Sequence, residues 1–170
     1  YGILLGRLGG IEKTPTGSIW PGLLQGQLSP RIFLDSGGVV DCKPKDLLQF
    51  GRLGSHLATA ALKKERPRVG LVSIGEEKGK GNEVTIITYE LLEMAEDVNF
   101  IGNIQGSDIL LGDVDVIVVD GFVGNVVLKF AESFKDYLKD FADIHPIKKV
   151  LAGPLLLDLK RLLDPNEMGG

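Results

Sequence analysis

Val114-Asp115-Val116-Ile117-Val118-Val119-Asp120-Gly121-Phe122-Val123-Gly124-Asn125-Val126-Val127-Leu128-Lys129 decides the fold, because it joins a buried-strand pattern to an apolar-periodic segment through a glycine-bearing turn. The β-branched residues read as a strand, Gly121, Gly124 and Asn125 as the turn, and the residues from Val126 onward as a helix. A turn of this kind exposes unpaired backbone N–H groups at the positive end of a helix dipole, where a phosphate binds without a dedicated side chain. An ordinary strand-to-helix connection fits the same residues.

Working outward, Ile32, Phe33 and Leu34 give a short strand that ends at Asp35. Leu47, Leu48, Phe50, Leu53, Leu57, Ala60 and Ala61 recur at near-helical spacing, which predicts a helix over residues 45–65, opened after Pro44 and closed by Pro67. Val69, Leu71, Val72 and Ile74 form the next strand, followed by a charged, glycine-rich loop to Gly81. Asn82 is a suitable cap for a helix whose apolar face holds Val84, Ile87, Leu91, Leu92 and Met94 or Ala95. Another short strand covers residues 99–104. The βαβα alternation implies α/β architecture: three α/β/α layers around a mainly parallel sheet.

The two ends differ from this middle. Residues 1–30 read as a loop-rich lead-in, since Gly9, Gly10, Pro15, Gly17, Pro21, Gly22, Gly26 and Pro30 break any period and only residues 3–8 keep a helical pattern. Residues 31–144 form the α/β core segment and residues 145–170 a helical carboxy-terminal segment, with a second helix starting near Pro154 and carrying Leu155, Leu156, Leu159, Leu162 and Leu163. Phe130, Phe134, Tyr137 or Leu138, and Phe141 line one helix face, which reads as core; a dimer contact and a membrane surface are the alternatives. The chain opens on Tyr1 and closes on Gly170, so it is expected to be part of a longer polypeptide.

Composition narrows the function. With 170 residues, 44% hydrophobic and 25% charged, the chain has the make-up of a soluble domain with a real core. A net charge of -4 argues against broad nucleic-acid binding, which needs a basic face. One cysteine, Cys42, excludes an intrachain disulfide and a cysteine-cluster metal site, and fits a cytoplasmic setting. His56 and His145 stand far apart in sequence, which argues against a zinc site. No apolar run reaches the roughly 18–20 residues that span a bilayer.

Three glycine-rich or polar turns follow strands: residues 35–41, 75–83 and 120–125. In a parallel sheet the carboxyl ends of the strands share one edge, and ligands bind in the crevice outside it, so the three turns are expected to converge. Gly79, Gly81 and Asn82 can hold a phosphate or a thioester carbonyl, helped by Lys78 or Lys80, with Glu83 orienting a donor; a solvated loop and simple capping compete. Lys129, one helical turn past Asn125, offers a cation to the same anion. Asp35, Asp41 and Asp120 can orient a catalytic group or bond their own turns. Cys42 beside Lys43 reads as a structural thiol rather than a nucleophile. Neither G-x-G-x-x-G after a strand nor G-x-x-x-x-G-K-[ST] is present.

Six blocks carry a resemblance: residues 34–44, 67–71, 75–77, 80–83, 99–103 and 120–129, in that order. They resemble the PlsX family of bacterial phosphate acyltransferases, most densely over residues 31–133. The spacing Gly124-Asn125-x-x-x-Lys129 is also similar to an element of phosphate acetyltransferases, which share the fold of the isocitrate and isopropylmalate dehydrogenases. The resemblance implies transfer of a fatty acyl group from acyl-(acyl carrier protein) to inorganic phosphate, giving the acyl phosphate used in phospholipid synthesis. It implies no cofactor and no metal, a homodimer, contact with the inner face of the plasma membrane, and delivery to a membrane glycerol-3-phosphate acyltransferase. Under it, Asn82, Glu83, Asp120, Asn125 and Lys129 are the catalytic set, and Gly79, Gly81, Gly121, Gly124, Asp35 and Asp41 bind phosphate. Lys148, Lys149, Lys160 and Arg161 are candidates for docking the acidic carrier protein. The chain departs from the family at Ser36, Gly38, Val39 and Ile86, where a hydrophobic residue, a small residue, Asn and Lys are usual. A dehydrogenase-like nucleotide-binding enzyme and a non-catalytic membrane- or carrier-binding scaffold stand as alternatives.

Overall fold

Val116, Ile117 and Val118 are fully buried, as the β-branched run requires of an inner strand covered on both faces. The computed structural model describes residues 3–4, 13 and 15–144. The chain divides into two compact units, Tyr1–Asn125 and Val126–Gly170. Within the first, strands β1 (Ile3–Leu4), β2 (Thr16–Trp20), β5 (Arg31–Leu34), β6 (Arg68–Val72), β7 (Asn99–Ile104) and β8 (Val116–Val118) form one sheet in the order β1-β2-β5-β8-β6-β7. β8 runs parallel to both neighbours, with Leu34 and Leu71 each in register with Val118, and β7 runs parallel to β6.

Helices α1 (Pro44–Leu62) and α2 (Glu83–Glu93) pack against this sheet and against each other, α1 on β5 and β8, and α2 on β6 and β7. Leu47, Phe50 and Leu53 of α1 and Leu92 of α2 meet Leu34, Val69, Leu71, Val116 and Val118 in the core. Each fully buried side chain of this size contributes roughly 1.5–3 kcal/mol relative to exposure. Ile87 and Met94 are 40% and 79% exposed, so the buried face of α2 is narrower than its apolar pattern. Lys63, in the left-handed region at φ 57°, ends α1 before Pro67 is reached.

The lead-in is structured where the sequence reads as loop. Thr16–Trp20 pairs antiparallel with β5, Gly17 facing Leu34 and Trp20 facing Arg31. Pro15 and Pro21 flank this strand rather than interrupt it, and Trp20 stacks on Phe33 at 4.8 Å. Ile3–Leu4 is a strand, not a helix. A two-residue turn, Gln25 and Gly26, both at positive φ, joins β3 (Leu23–Leu24) to β4 (Gln27–Leu28).

Short helix α3 (Asp108–Leu111) packs beside β3. Arg31 fastens the two: buried completely, its guanidinium donates to the carbonyls of Asp108 and Ile109 at 2.6 and 2.9 Å and of Leu23 at 3.4 Å. Burial lowers its pKa, against the pull of Asp115 and Asp113. At the amino edge of the sheet, buried Asp115 accepts from the Arg68 backbone and Nε at 2.9 and 3.0 Å and faces Lys64 Nζ at 3.2 Å. Burial works against its charge, and the Arg68 and Lys64 hydrogen bonds outweigh burial, holding its carboxyl below the usual range.

Helix α4 spans Gly121–Ile144. In the second unit Phe130, Phe134, Tyr137 and Phe141 stack in a row at 6.0, 6.2 and 6.1 Å. These rings are 67%, 48%, 59% and 40% exposed, which corrects the expectation of a core stripe. The second helix expected near Pro154 lies outside the described residues. Among the described residues, no helix is long and apolar enough to cross a membrane.

Candidate active site at the carboxyl edge of the sheet

Because Leu34, Val118 and Leu71 are in register, the turns that follow β5, β8 and β6 leave the sheet along one edge. These are the three turns singled out in the sequence. Their internal chemistry differs sharply.

In turn 35–41, Asp35 is fully buried. Its Oδ1 accepts from the N–H groups of Thr16, Gly37 and Gly38 at 2.8, 3.0 and 2.9 Å, and its Oδ2 from Val39 at 2.6 Å. A carboxylate so engaged shapes the turn, and its complete burial keeps it from a ligand in the crevice, which corrects the expectation that Asp35 touches phosphate. Asp41 is exposed, and its carbonyl accepts from Lys13 Nζ at 2.5 Å. Ser36, at a position where the resemblance expects an apolar residue, pairs its hydroxyl with Ser18 at 2.6 Å, and Trp20 Nε1 donates to Ser18 at 2.9 Å. Cys42 donates to the Val39 carbonyl at 3.3 Å, and burial pushes its thiol up to about 11, so it is protonated at neutral pH.

Turn 120–125 is itself the first turn of α4, which starts at Gly121 and not after Asn125. Asp120 caps it, accepting from the Val123 N–H at 3.0 Å. The Gly121 N–H donates to the Val39 carbonyl at 3.0 Å and the Gly124 N–H to the Asp120 carbonyl at 2.8 Å. These amides were the ones expected to receive an anion, and they are engaged. The glycines serve close approach instead: a Cβ on Gly124 would lie 1.8 Å from the Asp35 carbonyl oxygen, and one on Gly121 would lie 2.4 Å from that of Val39. Exposed Asn125 lies over Gly37, its Oδ1 3.2 Å from where a Cβ would stand. Lys129 belongs to the second unit, is exposed, and pairs with Glu132 at 2.8 Å.

Turn 75–83 is the open one. Glu76, Glu77, Lys78, Gly79, Lys80, Asn82 and Glu83 are all exposed, and Gly79 and Gly81 take φ values of 91° and 116° that favour glycine. Asn82 caps α2 by accepting from the Thr85 N–H at 2.9 Å, as its sequence position predicts. The N–H groups of Glu83 and Val84 have no acceptor in their own helix, so the positive end of α2 offers donors to an anion. Lys78 is held away from this end by Glu93 at 2.5 Å and lies 5.4 Å over the Tyr89 ring.

Three side chains fasten this turn that the sequence reading did not single out for chemistry. Ser73 Oγ donates to the Lys80 carbonyl at 2.9 Å, Asn103 Nδ2 to the Glu77 carbonyl at 3.1 Å, and Gln105 Nε2 to Glu76 Oε1 at 3.1 Å. Their place just at or past the ends of β6 and β7 was the available signal. Asn103 is 7% exposed, and its Oδ1 has no partner among the described residues. The basic candidates Lys148, Lys149, Lys160 and Arg161 lie outside the described residues. No group of three or more His, Cys, Asp or Glu side chains that could hold a metal ion occurs among the described residues.

A mainly parallel α/β fold, with a helix amino terminus and a carboxamide on its carboxyl edge, defines the class that binds small ligands outside the strand ends. The pattern of the family described as "Fatty acid synthesis protein" matches residues 2–167, and the chain belongs to that family. It is similar to the phosphate acyltransferase of Lawsonia intracellularis, 42% identical over 98% of this chain and 49% of the relative. It is likewise similar to those of Salinibacter ruber, at 41% over 98% and 50%, and Crocosphaera subtropica, at 43% over 98% and 49%. The chain thus spans about half the length of the curated relatives it matches.

Proposed function

We propose that the protein containing this chain transfers a fatty acyl group from an acyl carrier protein thioester to inorganic phosphate. The observation that carries this reading is the 42% identity to a phosphate acyltransferase over 98% of the chain. The rim is compatible with the chemistry. A phosphate at the amino end of α2 meets the Glu83 and Val84 N–H groups within a turn shaped by Gly79, Gly81 and Asn82. Asn125, over Gly37, offers a carboxamide donor to the oxyanion of the tetrahedral intermediate.

In the reaction a phosphate oxygen attacks the thioester carbonyl and forms the new C–O bond. The C–S bond then breaks, and the thiolate leaves and takes up the proton that the phosphate carried. Phosphate is already a nucleophile and the thioester already activated, so positioning and fixed dipoles supply most of the help. Asp35 and Asp120 act on the shape of the rim, not on substrate. The same reading includes a homodimer and contact with the inner membrane surface, supported by the exposed aromatic row of α4.

The test is hydroxylamine trapping of acyl phosphate by the complete protein, supplied with carrier-protein thioester and phosphate. Product that requires both substrates is expected, and Asn125→Ala should lower kcat/KM at least about tenfold. No trapped product would overturn the reading.

A further inference from the structure

Four exposed apolar side chains follow the three strands whose turns form the polar rim. Val40 follows β5 and is 57% exposed, Ile74 follows β6 at 81%, and Phe122 and Val123 follow β8 at 62% and 37%. Val40 and Phe122 are neighbours, since each directly follows one partner of the hydrogen bond from the Gly121 N–H to the Val39 carbonyl at 3.0 Å. Ile74 stands three residues past Leu71, as Gly121 stands three past Val118, and those two strand residues are in register. It therefore leaves the edge beside Gly121. The fourth turn on this edge, after β7, carries Gln105, Gly106 and Ser107, all exposed and none of them apolar. On this edge, the residues that directly follow β7 thus lack the apolar character of those around the candidate site.

Resting on the acyltransfer reading, we infer that Val40, Ile74, Phe122 and Val123 form the landing surface for the acyl chain of the donor. Connectivity demands such a surface close by: the carbonyl that a rim-bound phosphate attacks carries the first methylene of the chain one bond away. Phosphate gains nothing from apolar neighbours, whereas every methylene laid on them leaves water. The surface thus selects long acyl donors over acetyl without touching the reacting atoms, through the α/β turns alone.

The experiment uses the complete protein and carrier-protein thioesters from acetyl to palmitoyl, with Ile74→Ser, Phe122→Ser and the double variant. Met94→Ser, which removes an equally exposed apolar side chain at the far end of α2, is the control. The palmitoyl-to-acetyl ratio of kcat/KM should fall on the order of tenfold in the double variant and stay within about twofold in the control. An unchanged ratio in the double variant overturns the inference while leaving acyltransfer intact. If no donor yields acyl phosphate, the acyltransfer reading itself fails. Calorimetric binding of the palmitoyl thioester then still decides: weaker binding in the double variant supports the surface, and equal binding overturns it.

Discussion

Turns 35–41 and 120–125 interlock around a buried polar side chain, Asp35, while turn 75–83, on the same edge, has all its polar side chains exposed. The first pair is organised by one buried carboxylate that takes four N–H groups. The other is pinned from below by Ser73, Asn103 and Gln105 and leaves a helix amino terminus uncovered. Glycine-rich turns of similar appearance therefore differ in kind: one pair is locked backbone to backbone, and the other leaves amide donors uncovered, where the proposed function puts the anion.

The sharpest way to break this contrast is Gly124→Ala. The new methyl would stand 1.8 Å from the Asp35 carbonyl oxygen, so backbone must separate from backbone. We expect a loss of about 3 kcal/mol or more in chemical denaturation. Survival with full stability would show that the two turns do not lock together. Asp35→Asn is milder, because the shape is kept while a charge is lost and an NH2 group faces backbone donors. It should cost roughly 2–3 kcal/mol, with phosphate KM following stability rather than changing by itself.

Asn82→Ala probes the open turn. Loss of the cap should cost about 1 kcal/mol, yet phosphate KM should rise several-fold with the donor KM unchanged. The reverse pattern, stability falling while phosphate KM holds, would move the anion elsewhere. The amino edge supplies a reference far from both turns. Asp115 has a depressed folded pKa, so its contribution is fully present above the unfolded value of about 3.9 and is lost as pH falls through the folded one. Unfolding free energy should therefore drop below about pH 4, and Asp115→Asn should flatten that drop while lowering stability at neutral pH.

Much of the fold was legible because its signals are local. A β-branched run marked β8, short apolar runs marked β5 and β6, and Asn82 announced its helix, since a cap bonds only three residues away. Strand Thr16–Trp20 was illegible because its proline and glycine neighbours say loop, and only the distant β5 makes it a strand. Gly121 and Gly124 were visible as glycines, but a missing side chain does not say what fills the space. Here it is the backbone around Asp35 and Val39, a close approach between segments more than eighty residues apart in sequence. Asp35 looked like a free turn carboxylate because one of its four partners, Thr16, lies 19 residues away.

Arg31 has a consequence of a different kind. Its three partners are main-chain carbonyls, which neither titrate nor differ from one residue type to another. A guanidinium stays protonated across the range in which proteins survive, so the join between the hairpin and α3 ignores acid and is shielded from added salt. The guanidinium reads no side chain at Leu23, Asp108 or Ile109, yet it fixes Gly22, where a methyl would fall 2.0 Å from the Arg31 Nε.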